Sequence, residues 1–368
     1  MTESIPFPRL LMGPGPSAVS QSVLEAMARP PIGYADPEIF VLLDRIRTGL
    51  GRVFGSPGAF TFPQTGTGMA GMESCLANLI APGDNIVVGI HGFFGGRLAE
   101  IARRLGAEVT EVHAEWGGIL EPEQIEAALR PLRSVRLIAC VQAETSTGIA
   151  QPLAPIARIA REHDALFLVD AVTSLGGMPV EGDSIGVDAA YSATQKCLGA
   201  PPGLAPIAVS ERAWEAASRR KTAVPIWYDD WQLLRAYFEE PHAYHHTVPV
   251  NLYYALDAAL AAIEAETLLA RFARHRHVSW RLRAVLQEMG LTPYGQEEHR
   301  LPMISVFQLP SGMDEAAVRK RLLCEHGIEI GGGLGALKGR VWRIGTLGAS
   351  ATKENVDRLA AALRAVLA

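Results

Sequence analysis

From about residue 60 to residue 210, short apolar runs alternate with amphipathic stretches. Asn85–Ile90 (NIVVGI), Val135–Val141 (VRLIACV), Leu166–Asp170 (LFLVD) and Ala205–Val209 (APIAV) predict buried strands, with a further strand at Ala59–Phe62. Between them, Ala70–Leu79, Gly96–Leu105, Pro122–Leu129 and Pro155–His163 predict helices. Pro122 and Pro155 suit first-turn positions, where a missing N–H costs nothing. Strands alternating with helices imply an α/β fold, its mostly parallel sheet covered on both faces.

Residues 225–250 (PIWYDDWQLLRAYFEEPHAYHHTVPV) break the rhythm, being aromatic, proline-punctuated and poorly periodic. Asn251–Met289 predicts a long helix in one or two segments, with Gly290 as its stop. Beyond it the pattern predicts strands at Met303–Gln308, near Ile328 and at Val341–Ile344, and helices at Asp314–Glu325 and Lys353–Leu367. This tail has α+β character. The expected division is a large domain, residues 1–265, and a smaller C-terminal domain, residues 266–368.

Mean hydropathy is +0.13, which invites a membrane reading. No run reaches the roughly 18 uncharged apolar residues a spanning helix needs; the richest stretch, Ala255–Ala265, carries Asp257 and Glu264. Met1–Leu11 has no signal-peptide core, so a cytoplasmic protein with a large buried core is expected. The net charge of −5 does not suggest a nucleic-acid partner. Cys75, Cys140, Cys197 and Cys324 lie 65, 57 and 127 residues apart, which spells neither a zinc site nor a redox pair. Four reduced thiols are expected, with Cys324 buried in an apolar helix pattern. His245-His246 lacks further ligands at metal spacing, Asp229-Asp230 and Glu239-Glu240 read as solvated charges, and Gly331–Gly333 as flexible backbone.

Three features carry chemistry. Thr65-Gly66-Thr67-Gly68-Met69 stands between a strand and a helix, where converging backbone N–H groups suit a phosphate; a plain turn that needs glycine is the alternative. Asp170 ends its strand, at the edge where α/β sheets bind ligands; it would otherwise cap the next segment. Lys196 follows 26 residues later, in Ser192–Gly199 (SATQKCLG). Phosphate turn, strand-end carboxylate and lysine, in that order, fit pyridoxal 5′-phosphate: the lysine for the Schiff base, the carboxylate for the pyridinium nitrogen. Phe94 could stack on the ring or merely plug a loop. Arg343 stands among apolar neighbours and needs an anion, a substrate carboxylate or a structural partner.

The motifs LMGPGP (Leu11–Pro16), TGTGM (Thr65–Met69), ETSTG (Glu144–Gly148), VDAVTSLGG (Val169–Gly177), YSATQKCLGAPPG (Tyr191–Gly203), YHHTVP (Tyr244–Pro249), RIGTLG (Arg343–Gly348) and ATKENV (Ala351–Val356) extend the pattern. In that order the chain closely resembles, over nearly its whole length, the class V aminotransferases of the fold-type I pyridoxal phosphate enzymes. Within these it resembles the alanine–glyoxylate/serine–pyruvate group. The resemblance implies a seven-stranded-type sheet in the large domain. Lys196 would be the Schiff-base lysine and proton shuttle, and Asp170 the partner of the ring nitrogen. Thr67, Gly68, Met69 and Gln195 would hold the phosphate, Thr145 the ring hydroxyl, and Val172 and Phe94 the two ring faces. Tyr244 and Thr247 match residues that reach the phosphate of a partner subunit, which implies a homodimer. Arg343, with backbone near Gly15, would bind the substrate carboxylate beside Tyr34.

Phe94 stands where the group often has Trp, Met69 where a polar residue is common, and Tyr34 where His is frequent; these departures bear on the amino donor. The expected reaction is ping-pong transfer from alanine or serine to glyoxylate or pyruvate. Ureidoglycine–glyoxylate and pyridoxamine–pyruvate transamination are the alternatives on the same fold. A lyase or cysteine desulfurase normally has His before the lysine, where Gln195 stands here.

Overall fold

The computed structural model describes residues 9–367. Its centre is a seven-stranded sheet in the order Phe60–Thr65, Leu204–Val209, Ala189–Tyr191, Leu166–Asp170, Leu137–Val141, Asn85–Ile90, Glu108–His113. Leu204–Val209 runs antiparallel to both neighbours; all other pairs are parallel. Each residue of Leu137–Val141 and Leu166–Asp170 is buried, as central strands covered on both faces require. Glu108–His113 was not anticipated: it is an edge strand whose residues are mostly exposed or half-buried, so its sequence EVTEVH lacks an apolar run.

The helices predicted between the strands are present, at Gly68–Leu79, Phe93–Arg104, Pro122–Leu129 and Ala154–Glu162. Two N-terminal helices, Gln21–Met27 and Pro37–Phe54, were also unanticipated. In the second, Ile39, Leu42, Leu43, Ile46 and Leu50 recur at helical spacing and are buried against the sheet, while Asp36 Oδ1 accepts the Glu38 N–H at 2.9 Å to cap it.

The stretch after residue 249 is two helices, Val250–Glu266 and Leu268–Glu288, broken at Thr267 (φ 68). A four-stranded antiparallel sheet follows, in the order Thr292–Pro293, Ile304–Gln308, Val341–Gly345, Gly331–Gly332. Helices Glu315–His326 and Lys353–Leu367 pack with it around Leu282, Phe307, Trp342 and Leu363. The short strand Ile328–Glu329 does not join this sheet but pairs in parallel with Leu10–Leu11. Leu10 and Met12 thereby enter the C-terminal core from the far end of the chain.

Several sequence expectations need correction. Residues 225–250 contain a helix, Trp231–Phe238, with Trp231, Leu234, Tyr237 and Phe238 buried. Asp229 is buried and accepts the Gln64 amide at 2.7 Å; Glu239 pairs with Arg47 and Arg235 at 2.6 Å each. Gly331–Gly332 is a paired edge strand instead of flexible backbone. Cys324 is exposed, because its helix buries only Leu322 of its twelve residues. No described helix is long and apolar enough to cross a membrane.

Candidate active site

Parallel strands place their C-terminal ends on one edge of the sheet, and a cavity of about 160 Å3 opens there. Thr67, Gly68, Met69, Phe94, Thr145, Asp170, Val172, Gln195 and Lys196 all line it, brought from segments 129 residues apart at the extremes. Met72, Val141, Ala143 and Thr173 complete the wall.

Thr67 precedes the Gly68–Leu79 helix in extended conformation and makes no side-chain capping bond, so its hydroxyl and the first-turn N–H groups face the cavity end of the helix dipole. A Cβ on Gly68 would approach Val172 Cγ2 to 2.8 Å, so only glycine lets the turn close on that side chain. The Gln195 amide oxygen is buried without a partner. Thr145 and Thr173 hydroxyls share a hydrogen bond of 2.7 Å.

Asp170 is buried at the end of its strand. Its Oδ1 accepts the Val172 N–H at 2.8 Å and its Oδ2 the Tyr191 hydroxyl at 2.9 Å. Both local capping and a cavity-facing position are therefore realised at once. Burial pushes its pKa up to about 7, although those two hydrogen bonds pull it down. Tyr191, fully buried, was missed as a site residue: in sequence it is one more apolar strand position.

Lys196 interrupts the turn Thr194–Leu198 with non-helical angles (φ −108, ψ −129). Its Nζ donates to the Pro14 carbonyl. Burial lowers its pKa to about 8, helped by the Arg343 charge and opposed by Cys197 and Asp170. Gly15 has φ +124, and a Cβ there would collide with Lys196 Nζ, so the LMGPGP loop lies directly against the lysine. Arg343 is buried in its strand, donates Nε to the Gly332 carbonyl at 2.7 Å and has no carboxylate within 4 Å among the described residues. Burial lowers its pKa to about 10.

Glu144 is a second residue the sequence reading did not assign. It is fully buried and accepts the Phe94 N–H at 3.0 Å and the Ser146 hydroxyl at 2.6 Å, which ties the helix carrying Phe94 to the ETSTG loop. Burial raises its pKa. Tyr34, Tyr244 and Thr247 do not line this cavity. Tyr244 is 62% exposed and Tyr34 40% exposed; their rings meet at 4.8 Å, and Thr247 is exposed nearby in sequence. His245 and His246 bond each other through Nδ1 at 2.7 Å, and no metal-binding cluster exists among the described residues.

A sequence model of the family "Aminotransferase class-V" matches residues 59–359. The chain belongs to the class V aminotransferases. This aminotransferase is 38% identical to the (S)-ureidoglycine–glyoxylate transaminase of Bacillus subtilis, over 98% of this chain and 90% of that one. It is 39% identical to the alanine–glyoxylate aminotransferase of Drosophila melanogaster, over 95% and 90%. The crystal structure of an alanine–glyoxylate aminotransferase from Nostoc sp. superimposes with a TM-score of 0.97 at 44% identity, covering 100% of this chain and 98% of that one. The class V aminotransferases of this fold depend on pyridoxal 5′-phosphate. The cavity fits that cofactor chemically: an uncapped helix N-terminus for phosphate, a buried carboxyl short of a cation, an amine of lowered pKa, and an unpartnered amide between them.

Proposed function

We propose that this aminotransferase moves the amino group of a small monocarboxylic donor, alanine or serine, to glyoxylate. Arg343 carries the reading: a buried guanidinium with no carboxylate partner among the described residues, close enough to Lys196 to lower its pKa. One such arginine suits donors with one carboxylate and disfavours glutamate or aspartate. The three relatives above all carry glyoxylate in their names, two with alanine and one with (S)-ureidoglycine as donor, which supports glyoxylate as acceptor.

Bound pyridoxal phosphate supplies the carbonyl that receives the amino group and the ring that takes up the electrons. Thr67, Gly68, Met69 and Gln195 would hold its phosphate, and Asp170 would keep the ring nitrogen protonated. Thr145 would meet the ring hydroxyl, and Phe94 and Val172 would cover the ring. Tyr191 and the Val172 N–H orient the Asp170 carboxylate toward that nitrogen. Lys196 removes the donor Cα proton and returns one on the far side of the transfer; a pKa of about 8 leaves part of it neutral near physiological pH. Arg343 and the backbone at Gly15 fix the substrate carboxylate so that the Cα–H faces Lys196. The large domain expected over residues 1–265 would hold the cofactor and the smaller one over 266–368 would bring Arg343, with Leu10 and Met12 packed into the smaller core. The exposure of Tyr244, Thr247 and Tyr34 supports a homodimer in which Tyr244 and Thr247 would reach the partner's phosphate.

The test is a half-reaction panel. Purified holoenzyme is mixed singly with alanine, serine, (S)-ureidoglycine and pyridoxamine, and the visible absorbance of the bound cofactor is followed. Alanine or serine should bleach it and glyoxylate restore it. Arg343→Gln should raise KM for the donor and for glyoxylate by about 100-fold. Bleaching by pyridoxamine alone, or by no amino acid, overturns the proposal, and bleaching by ureidoglycine alone replaces the donor.

A further inference from the structure

The opposite edge of the central sheet holds a second cavity, of about 810 Å3. Asn85 and Leu166, the first residues of their strands, stand on its wall, whereas Asp170 ends the Leu166 strand at the active site. The two sites are therefore about 13 Å apart along one strand. Six basic side chains line the cavity: Arg133, Arg136, Arg212, Arg219, Arg220 and Lys221. The carboxylates on the same wall are Asp84, Asp164 and Glu215.

Two of the six are already neutralised, Arg212 by Asp188 and Asp164 and Arg219 by Glu215. Arg133, Arg136, Arg220 and Lys221 have no carboxylate within 4 Å among the described residues. Arg136 and Arg220 are half-buried and meet only carbonyls: Arg136 donates to Leu79 O at 2.8 Å and Ala216 O at 3.0 Å, Arg220 to Ile80 O and to Thr222 O at 3.4 Å. Burial lowers the Arg220 pKa and Arg136 adds to this, against the pull of Asp84 and Asp230. Two partly desolvated guanidinium groups that repel each other favour a bound anion. A cluster of this kind is invisible in a net charge of −5.

We propose that this crevice binds a small molecule carrying two or more phosphoryl groups. Planar guanidinium forks match phosphoryl oxygens bidentately, four unneutralised cations match a polyanion, and the volume lies in the range of small-molecule sites.

Holoenzyme, its own phosphate site filled by cofactor, is titrated calorimetrically with pyrophosphate and separately with citrate at constant ionic strength. Pyrophosphate should bind saturably, one per chain, and more tightly than citrate. Arg133→Ala/Lys221→Ala removes two exposed side chains that make no hydrogen bond among the described residues, so the fold should be unaffected. The double variant should weaken pyrophosphate binding by about tenfold or more, with kcat unchanged. Absence of saturable binding, equal affinity in the double variant, or tighter binding of citrate would overturn the proposal.

Discussion

Replacing Asp170 with Asn in the cofactor-free protein should alter the pH dependence of its stability in a way no constant packing defect reproduces. Burial pushes the Asp170 pKa up to about 7; the Val172 N–H and Tyr191 hydroxyl pull it down, and Glu144 adds to the rise. An unfolded aspartate titrates near 3.9. Between about pH 4 and pH 7 the folded chain therefore holds more protons than the unfolded chain, and stability falls as pH rises through that window. A gap of about 3 units at about 1.36 kcal/mol each amounts to about 4 kcal/mol by pH 7. With an unfolding entropy of about 2.1 cal/mol/K per residue, a chain of 368 residues turns this into about 5 °C of thermal midpoint. Asn sets one of its N–H bonds against a donor, Val172 N–H or Tyr191 OH, but that cost does not vary with pH. The midpoint of the variant minus that of the wild type should therefore climb by about 5 °C from pH 4 to pH 7 and then level off. Differential scanning calorimetry of both apoproteins at unit pH intervals measures it. Parallel curves would refute the reasoning, because they would place Asp170 as an ordinary ionised carboxylate before any cofactor arrives. Cofactor binding should flatten the wild-type curve, since the ring nitrogen gives the carboxylate a cation.

Three further outcomes follow from the same geometry. Cofactor uptake by the apoprotein should accelerate as pH rises through about 8, the Lys196 pKa, and level off above it; stopped-flow absorbance would instead show a rise continuing toward pH 10 for an ordinary lysine. Tyr191→Phe removes one of the two donors to Asp170 and should weaken cofactor affinity by about tenfold, read by fluorescence titration of the apoprotein. Under native conditions a disulfide thiol reagent should modify one cysteine per chain quickly, and Cys324→Ser should abolish that phase, because Cys75, Cys140 and Cys197 are buried and burial raises their pKa values.

The sequence by itself determined the layered α/β plan and which candidate residues stand at its strand ends. Leu166–Val169 and Ile86–Ile90 carry no polar side chain because both faces are covered, and that pattern needs no partner to be read. Thr67, Asp170 and Lys196 were legible as candidates, and the fold brings all three to one cavity: a buried polar group at a strand end is costly unless paired, and a glycine-rich turn before a helix gathers N–H groups. Tertiary structure decided everything that depends on which surface covers which. Glu108–His113 reads as polar because it lies at the sheet edge, and Leu10–Leu11 became a strand only by meeting Ile328–Glu329. Cys324 looked buried and is exposed, while Asp229 looked solvated and is buried, because a single residue carries no record of the face its helix or turn presents. The same holds for the roles of Tyr191 and Glu144, whose hydrogen bonds join segments 21 and 50 residues apart. It holds most for the basic crevice: its cations come from separate helix ends and loops, and only folding brings them close enough to repel one another.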